Sequence, residues 1–430
     1  MTLRRLPWKK AIAVGALLAP ALAIGAWRAT IWRSERTQPV SGTFPTCPGR
    51  TDHWYLQAIE RARAHVEAMM AERRIPGLAV AVAVDGRTVW SEGFGYADVD
   101  ARRPACPQTQ FRLQSVSKPV TAAVMARLVE AGRLDLDAPI QTYVPSFPAK
   151  QGTITARALA SHRAGIRHYR DDVETLSTKH YGTATASLEH FQDDSLLFPP
   201  DSGFTYSSYG FVLLSAAIET ACGADFPTCL ERHLFAPLAM RRSAAEVVGR
   251  ADTNRASFYD NVTPFSPDGT TRPSPFVDFS WKWAGGGVLS SAEDMARFGM
   301  AHIEPHNRRF LSRETIDMLF SPRTGRLGTF GYGLGWMVAR DARLRRVRFH
   351  FGAGSGGTSF LAVLPDRRVS VAVLANLGHA GFSFPRLSGI VNPFAGDPLA
   401  VPAAAIAAGF LALALIAVLQ WRRSARATSQ

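Results

Sequence analysis

The chain has 430 residues, 47% of them hydrophobic, with 49 Lys+Arg against 35 Asp+Glu and a formal net charge of +14. That excess raises nucleic acid as a partner, but much of it gathers beside two apolar runs. Arg4, Arg5, Lys9 and Lys10 precede residues 11–27, and Arg422, Arg423 and Arg426 follow residues 398–421. No basic block interleaved with aromatics lies between them, so nucleic acid is set aside and membrane flanks are expected.

In chain order, residues 1–31 read as a signal peptide or an uncleaved signal anchor; Pro20 and the Ala-Leu-Ala at 21–23 suit cleavage, and the two alternatives stay open. Residues 32–52 are polar and contain proline, a linker. From Trp54 to Arg74, Ile59, Val66, Met69 and Met70 recur at helical spacing, and Ile75-Pro76-Gly77 predicts the end of that helix. Two strands are expected around Asp85-Gly86, a hairpin signal. A helix follows at Ser115, with Val120, Val124 and Leu128 on one face and Gly132 at its end.

From about residue 150 to 320 helical pieces alternate with Pro- and Gly-rich loops. After Thr329 strands return, including a pair around Asp366-Arg367. Strand pairs near both ends of one domain, residues 53–392, predict an α/β (α+β) architecture with one antiparallel sheet closed by both ends of the domain. Residues 398–421 carry no charge over a length that crosses about 30 Å of hydrocarbon, so a transmembrane helix is expected, with 422–430 as a cytoplasmic tail. The domain would then face the periplasmic, extracytoplasmic side of an inner membrane, where cysteines oxidise. Of the three pairings open to four cysteines, local proximity favours Cys47–Cys106 with Cys222–Cys229.

Lysine is scarce: besides Lys118, only Lys9, Lys10, Lys150, Lys179 and Lys282 occur. Lys118 stands three residues after Ser115, where i+3 spacing on a helix lets it reach back to the hydroxyl. A desolvated lysine near the positive end of a helix loses its proton more readily and can accept one from serine. Arginine does not deprotonate, so it cannot replace lysine in that role. Alone, Ser-x-x-Lys is equally a helix cap followed by a solvated lysine.

Two further boxes, Tyr206-Ser207-Ser208 at a helix start and His350-Phe351-Gly352 on a strand, follow in order. With them the chain resembles the serine beta-lactamase and penicillin-binding-protein superfamily, in its class C beta-lactamase-like branch. The resemblance runs from about Ile75 to Asn376 and includes "IPGLAVAVAVDG", "GRLDLDAPI", "SHRAGIRHY", "FAPLAM", "AGGGVLSSAEDMARF" and "YGLGW". "SHRAGIRHY" together with the other boxes looks like the mitochondrial serine beta-lactamase-like peptidases and their bacterial relatives. The resemblance implies a beta-lactamase/transpeptidase-like fold with a mostly helical subdomain. It implies Ser115 as nucleophile, Lys118 as base and Tyr206 as proton shuttle, with an oxyanion hole from the backbone N–H groups of Ser115 and Ala353. Ser208, His350 and Gly352 would line the substrate site, and no cofactor or metal is called for.

Two departures from the family pattern bear on activity. Ser208 stands where the family has asparagine, and His350 where true beta-lactamases have lysine, so a fixed positive charge for a substrate carboxylate is weakened. Both point to a peptidase or esterase acting on a small molecule or peptide. A D-Ala-D-Ala carboxypeptidase or weak beta-lactamase, and a non-catalytic penicillin-binding sensor or scaffold, are the alternatives. Asp201 replaces a frequent family glycine before Tyr206. Gly352, Gly354 and Gly357 match a dinucleotide fingerprint, and Ser355 a nucleophile elbow, but both need a helix where a strand is expected. His302 and His306, around Glu304 and Pro305, read as surface histidines and not as a zinc site, and His162 and His168 as structural groups near the site wall.

Overall fold

An antiparallel sheet forms the spine of the protein in this computed structural model, which describes residues 44–250, 252–262, 270–306, 310–324 and 330–396. Its main strands are β1 (Thr46–Thr51), β2 (Gly77–Val84), β3 (Arg87–Asp98), β4 (Phe330–Tyr332), β5 (Met337–Arg340), β6 (Arg346–Gly354), β7 (Gly357–Leu364) and β8 (Val369–Ala375). They are ordered β1-β3-β2-β8-β7-β6-β5-β4, so β8 hydrogen-bonds to β2 and both ends of the domain close one sheet, as expected. The apolar runs 11–27 and 398–421, and the expected tail, lie outside the described residues. Among the described residues no helix is long and apolar enough to cross a membrane.

Period-two alternation sorts the strand side chains onto two faces. Leu78, Val80 and Val82 of β2 pack under helix α1 (Leu56–Arg73) and a C-terminal helix, Phe384–Ala395. Ala79, Ala81 and Ala83 face the other layer, built on helices α2 (Ser117–Glu130), α3 (Ser208–Cys222) and α4 (Ala292–Met300). Small side chains let α4 sit close: a Cβ at Gly299 would stand 2.0 Å from Ser370 Oγ. α1 ends on Arg74 in a left-handed conformation (φ 53°), just before the predicted Ile75-Pro76-Gly77 stop.

Thr46–Thr51, inside the segment read as linker, is an edge strand paired with β3. The Cys47–Cys106 disulfide fastens it, and Cys222–Cys229 closes the end of α3, so both expected pairs are present. His302 departs from the surface reading. It is buried, its Nδ1–H donates to Phe298 O at 2.8 Å, and Phe298, Phe310, Phe320 and Trp336 surround it.

Candidate active site

Ser115 lies in a 3-10 turn, Gln114–Val116, that leads directly into α2. The alternative reading of Ser115 as a helix cap does not hold. Val116 holds the cap position of α2 without a side-chain bond, and the Ser115 hydroxyl faces Lys118 instead. Gln114 adopts φ 47°, the left-handed turn that presents Ser115. The strand β6 runs beneath this turn at Gly352, where a Cβ would meet Leu113 O at 2.1 Å and Ser115 N at 3.0 Å. Glycine is needed there because the turn and the strand touch.

Lys118 is fully buried, with Nζ 3.1 Å from Ser115 Oγ, 3.0 Å from Ser208 Oγ and 2.8 Å from Gly285 O. Burial, aided by the Lys282 charge, holds its pKa well below the usual lysine value. A neutral amine has two protons and one lone pair. The Gly285 carbonyl can only accept, so it takes one proton; Ser208 Oγ takes the other, and the lone pair is left for the Ser115 O–H. Ser208 thus keeps the lysine contact of the family's asparagine without its amide.

Tyr206 precedes α3, its ring 4.7 Å from Lys118 Nζ and 4.4 and 5.5 Å from the rings of His162 and His168. Burial raises its phenol above the ordinary value, partly offset by the Ser115 hydroxyl, so Tyr206 keeps its proton at neutral pH. Its box is fixed by the two histidines. Ser207 N–H donates to His162 Nδ1 at 3.1 Å, and Ser208 N–H to His168 Nδ1 at 3.2 Å. Burial keeps both imidazoles neutral, with His168 lowered to about 4. That is the structural role expected of them. Asp201 takes φ 63°, which explains why glycine suits this loop, and pairs with Arg163 at 3.1 Å.

His350 is fully buried on β6. Its Nδ1–H donates to Phe351 O at 2.7 Å, so Nε2 accepts the Tyr332 O–H at 2.9 Å. Burial lowers it to about 3, leaving an uncharged ring at neutral pH. Ala353 is exposed. Because Gly354 and Gly357 close a two-residue hairpin, the next pair, Ala353 with Thr358, is a non-hydrogen-bonded one. The Ala353 N–H therefore points away from β7, toward an edge where β5 has stopped pairing at Phe349.

Three residues that sequence reasoning missed clamp this hairpin tip with four hydrogen bonds. Gln114 Nε2 donates to Ser355 O at 2.8 Å, and Arg112 Nη1 donates to the same oxygen at 3.2 Å. Asp260 accepts from Ser355 Oγ and Gly356 N–H, both at 3.1 Å. Ser355 is thus a turn residue followed by strand β7, without the helix that a nucleophile elbow requires. Arg112 is itself buried against Glu246, with two bonds of 2.8 and 2.9 Å. Lys282, also missed, is buried with Nζ 3.0 Å from Thr175 O, and burial lowers it to about 7. Among the described residues no His/Cys/Asp/Glu cluster has the makings of a metal site.

The family model described as Beta-lactamase matches residues 62–389. The human serine beta-lactamase-like protein LACTB, mitochondrial, is 28% identical, with 76% of this chain and 78% of that protein covered. Penicillin-binding protein 4* of Bacillus subtilis is 26% identical over 74% of this chain and 72% of its own. Among solved structures, the octameric penicillin-binding protein homologue from Pyrococcus abyssi superposes with a TM-score of 0.68 at 25% identity, covering 78% of each chain. A match spanning most of the chain, over a fold that brings Ser115, Lys118 and Tyr206 together, places this protein in the beta-lactamase family of serine hydrolases.

Proposed function

We propose that the chain is a membrane-anchored, extracytoplasmic hydrolase that cleaves peptide or ester bonds through an acyl-enzyme on Ser115. The carrying observation is the buried Lys118 amine, 3.1 Å from Ser115 Oγ and held below its usual pKa. Lys118 takes the serine proton as Oγ bonds to the substrate carbonyl carbon. The oxyanion forms between the N–H groups of Ser115 and Ala353. The Tyr206 phenol relays a proton to the leaving nitrogen or oxygen as that bond breaks. Water then attacks the acyl carbon, releasing the acid and returning the proton to the serine.

The neutral His350 favours substrates without a carboxylate at that position, hence peptides or esters over penicillins. Membrane anchoring rests on the arginine-flanked runs 11–27 and 398–421, and the extracytoplasmic side on two disulfides. Intact mass after a fluorophosphonate and after penicillin tests the chemistry. A fluorophosphonate adduct on the wild type that is lost in Ser115→Ala is expected. An adduct that persists in that variant, or maps to Ser355, overturns the assignment. A penicillin adduct that never turns over, with no ester or peptide cleavage, favours the sensor reading.

A further inference from the structure

One end of the sheet gathers features that the catalytic site does not use. The β2–β3 turn at Asp85-Gly86, the β5–β6 turn at 341–345 and the β7–β8 turn at 365–368 all lie there, as the registers Val84↔Val369, Leu364↔Val369 and Arg340↔Arg346 require. The corner after β1 joins them, since Asp52 N–H donates to Val89 O. The helix Phe384–Ala395 runs back to this end, where Arg345 Nη1 donates to Gly396 O. Only Asp397 then separates Gly396 from the apolar run that starts at Pro398.

Exposed large apolar side chains stand around that exit. Trp54 is 78% exposed and Leu344 64%, while neighbouring Tyr55 stacks on Phe394 near the end of the helix. The charge is basic. Asp52, Asp85, Asp341 and Asp366 are each engaged by an arginine, Arg87, Arg368, Arg345 and Arg346 respectively. Arg340 bonds the Leu344 carbonyl, and neither it nor Arg367 pairs with a carboxylate among the described residues. Tryptophan, leucine and surplus arginine are the side chains that suit a headgroup layer.

We propose that this end of the sheet rests on the surface of the membrane entered by residues 398–421, against anionic headgroups, with Trp54 and Leu344 at the interface. The inference rests on the anchoring reading above and adds an orientation to it. Residues 28–43 span up to about 50 Å when extended, enough to return from β1 to the same surface if residues 11–27 also stay in the bilayer. The site sits at the far end of β6, seven residues from Arg346 to Ala353, or about 23 Å, away from the lipid. Substrate then arrives from the aqueous side and not from within the bilayer.

All four native cysteines are in disulfides, so an introduced cysteine is the one free thiol. The full chain carrying Leu344→Cys or Ser202→Cys, the latter in the loop before Tyr206, is labelled with a fluorophore. Each is reconstituted in vesicles of phosphatidylcholine and phosphatidylglycerol containing a headgroup-nitroxide lipid. Quenching several-fold stronger at 344 than at 202 is expected, reduced by the double variant Arg340→Glu with Arg367→Glu. Equal quenching at both positions, in protein that still resists alkaline extraction, overturns the orientation and leaves the anchoring intact. Release of the protein by alkaline carbonate overturns the anchoring itself.

Discussion

The Gly285 carbonyl accepts a hydrogen bond from Lys118 Nζ at 2.8 Å, although the two residues are 167 positions apart. That bond directs one amine proton away from Ser115 and leaves the lone pair facing it. Lys118→Arg should therefore lower kcat/KM by roughly 10³-fold, about as much as Lys118→Ala, because a permanent cation cannot take the serine proton. Steady-state kinetics on one ester substrate checks this; an arginine variant with most of its activity would show that the position works through charge alone.

Burial of Lys118 sets the acid limb of the pH profile, and the Lys282 charge adds to it. Below about 7 Lys282 is protonated and helps keep Lys118 deprotonated. Activity needs neutral Lys118, so it is lost as pH falls through the folded pKa of that lysine. Lys282→Gln removes the neighbouring charge, raises the Lys118 pKa and moves the acid limb of kcat/KM to higher pH. His350→Gln should leave the limb in place, since His350 titrates only at about 3. Profiles of both variants from about pH 5 to 9 separate the two effects.

Gly352→Ala should lower kcat by roughly 10²-fold with the fold retained, as expected when one oxyanion donor is displaced. A methyl group 2.1 Å from Leu113 O forces β6 and the Ser115 turn apart. Acylation by a fluorophosphonate should slow in parallel, while circular dichroism stays native. Unchanged acylation would place the oxyanion hole elsewhere.

His350→Lys should raise kcat/KM for a penicillin relative to a neutral ester, by about tenfold or more, the worth of one hydrogen bond to a charged group. Native His350 supplies no charge, because burial keeps it neutral and both ring nitrogens are occupied. Equal changes for the two substrates would remove the charge argument.

The two disulfides should differ in weight. Loop-closure entropy predicts a loss of about 4 kcal/mol on removing Cys47–Cys106 and about 2.5 kcal/mol for Cys222–Cys229, in the chain-entropy model. The sequence separations behind this are 59 and 7 residues. Urea unfolding of the paired serine variants tests the order.

Local patterns make much of this molecule legible in its sequence. Ser115 and Lys118 are one helical turn apart, and the Asp85-Gly86 hairpin and the alternating strands follow short-range rules. What stayed hidden depends on contacts across long separations. Gln114 reaches Ser355 over 241 positions, and Lys118 reaches Gly285 over 167. Lys282 looks like any surface lysine until the fold buries it. His302 was misplaced because "HIEPH" reads as a polar loop, whereas Phe310 and Trp336, from other segments, enclose the ring. β1 was missed because "TCPGRT" contains proline and glycine and lacks alternation; its pairing is set by β3 and the Cys47–Cys106 bond.

That edge strand has a consequence for how the protein keeps company with itself. A twelve-residue strand such as β3, left open along one side, offers a row of backbone donors and acceptors to any passing extended chain. β1 occupies much of that row, and its disulfide keeps it from peeling away. Oxidation therefore guards solubility as well as stability: a reduced chain would keep its catalytic groups but expose a template for aggregation.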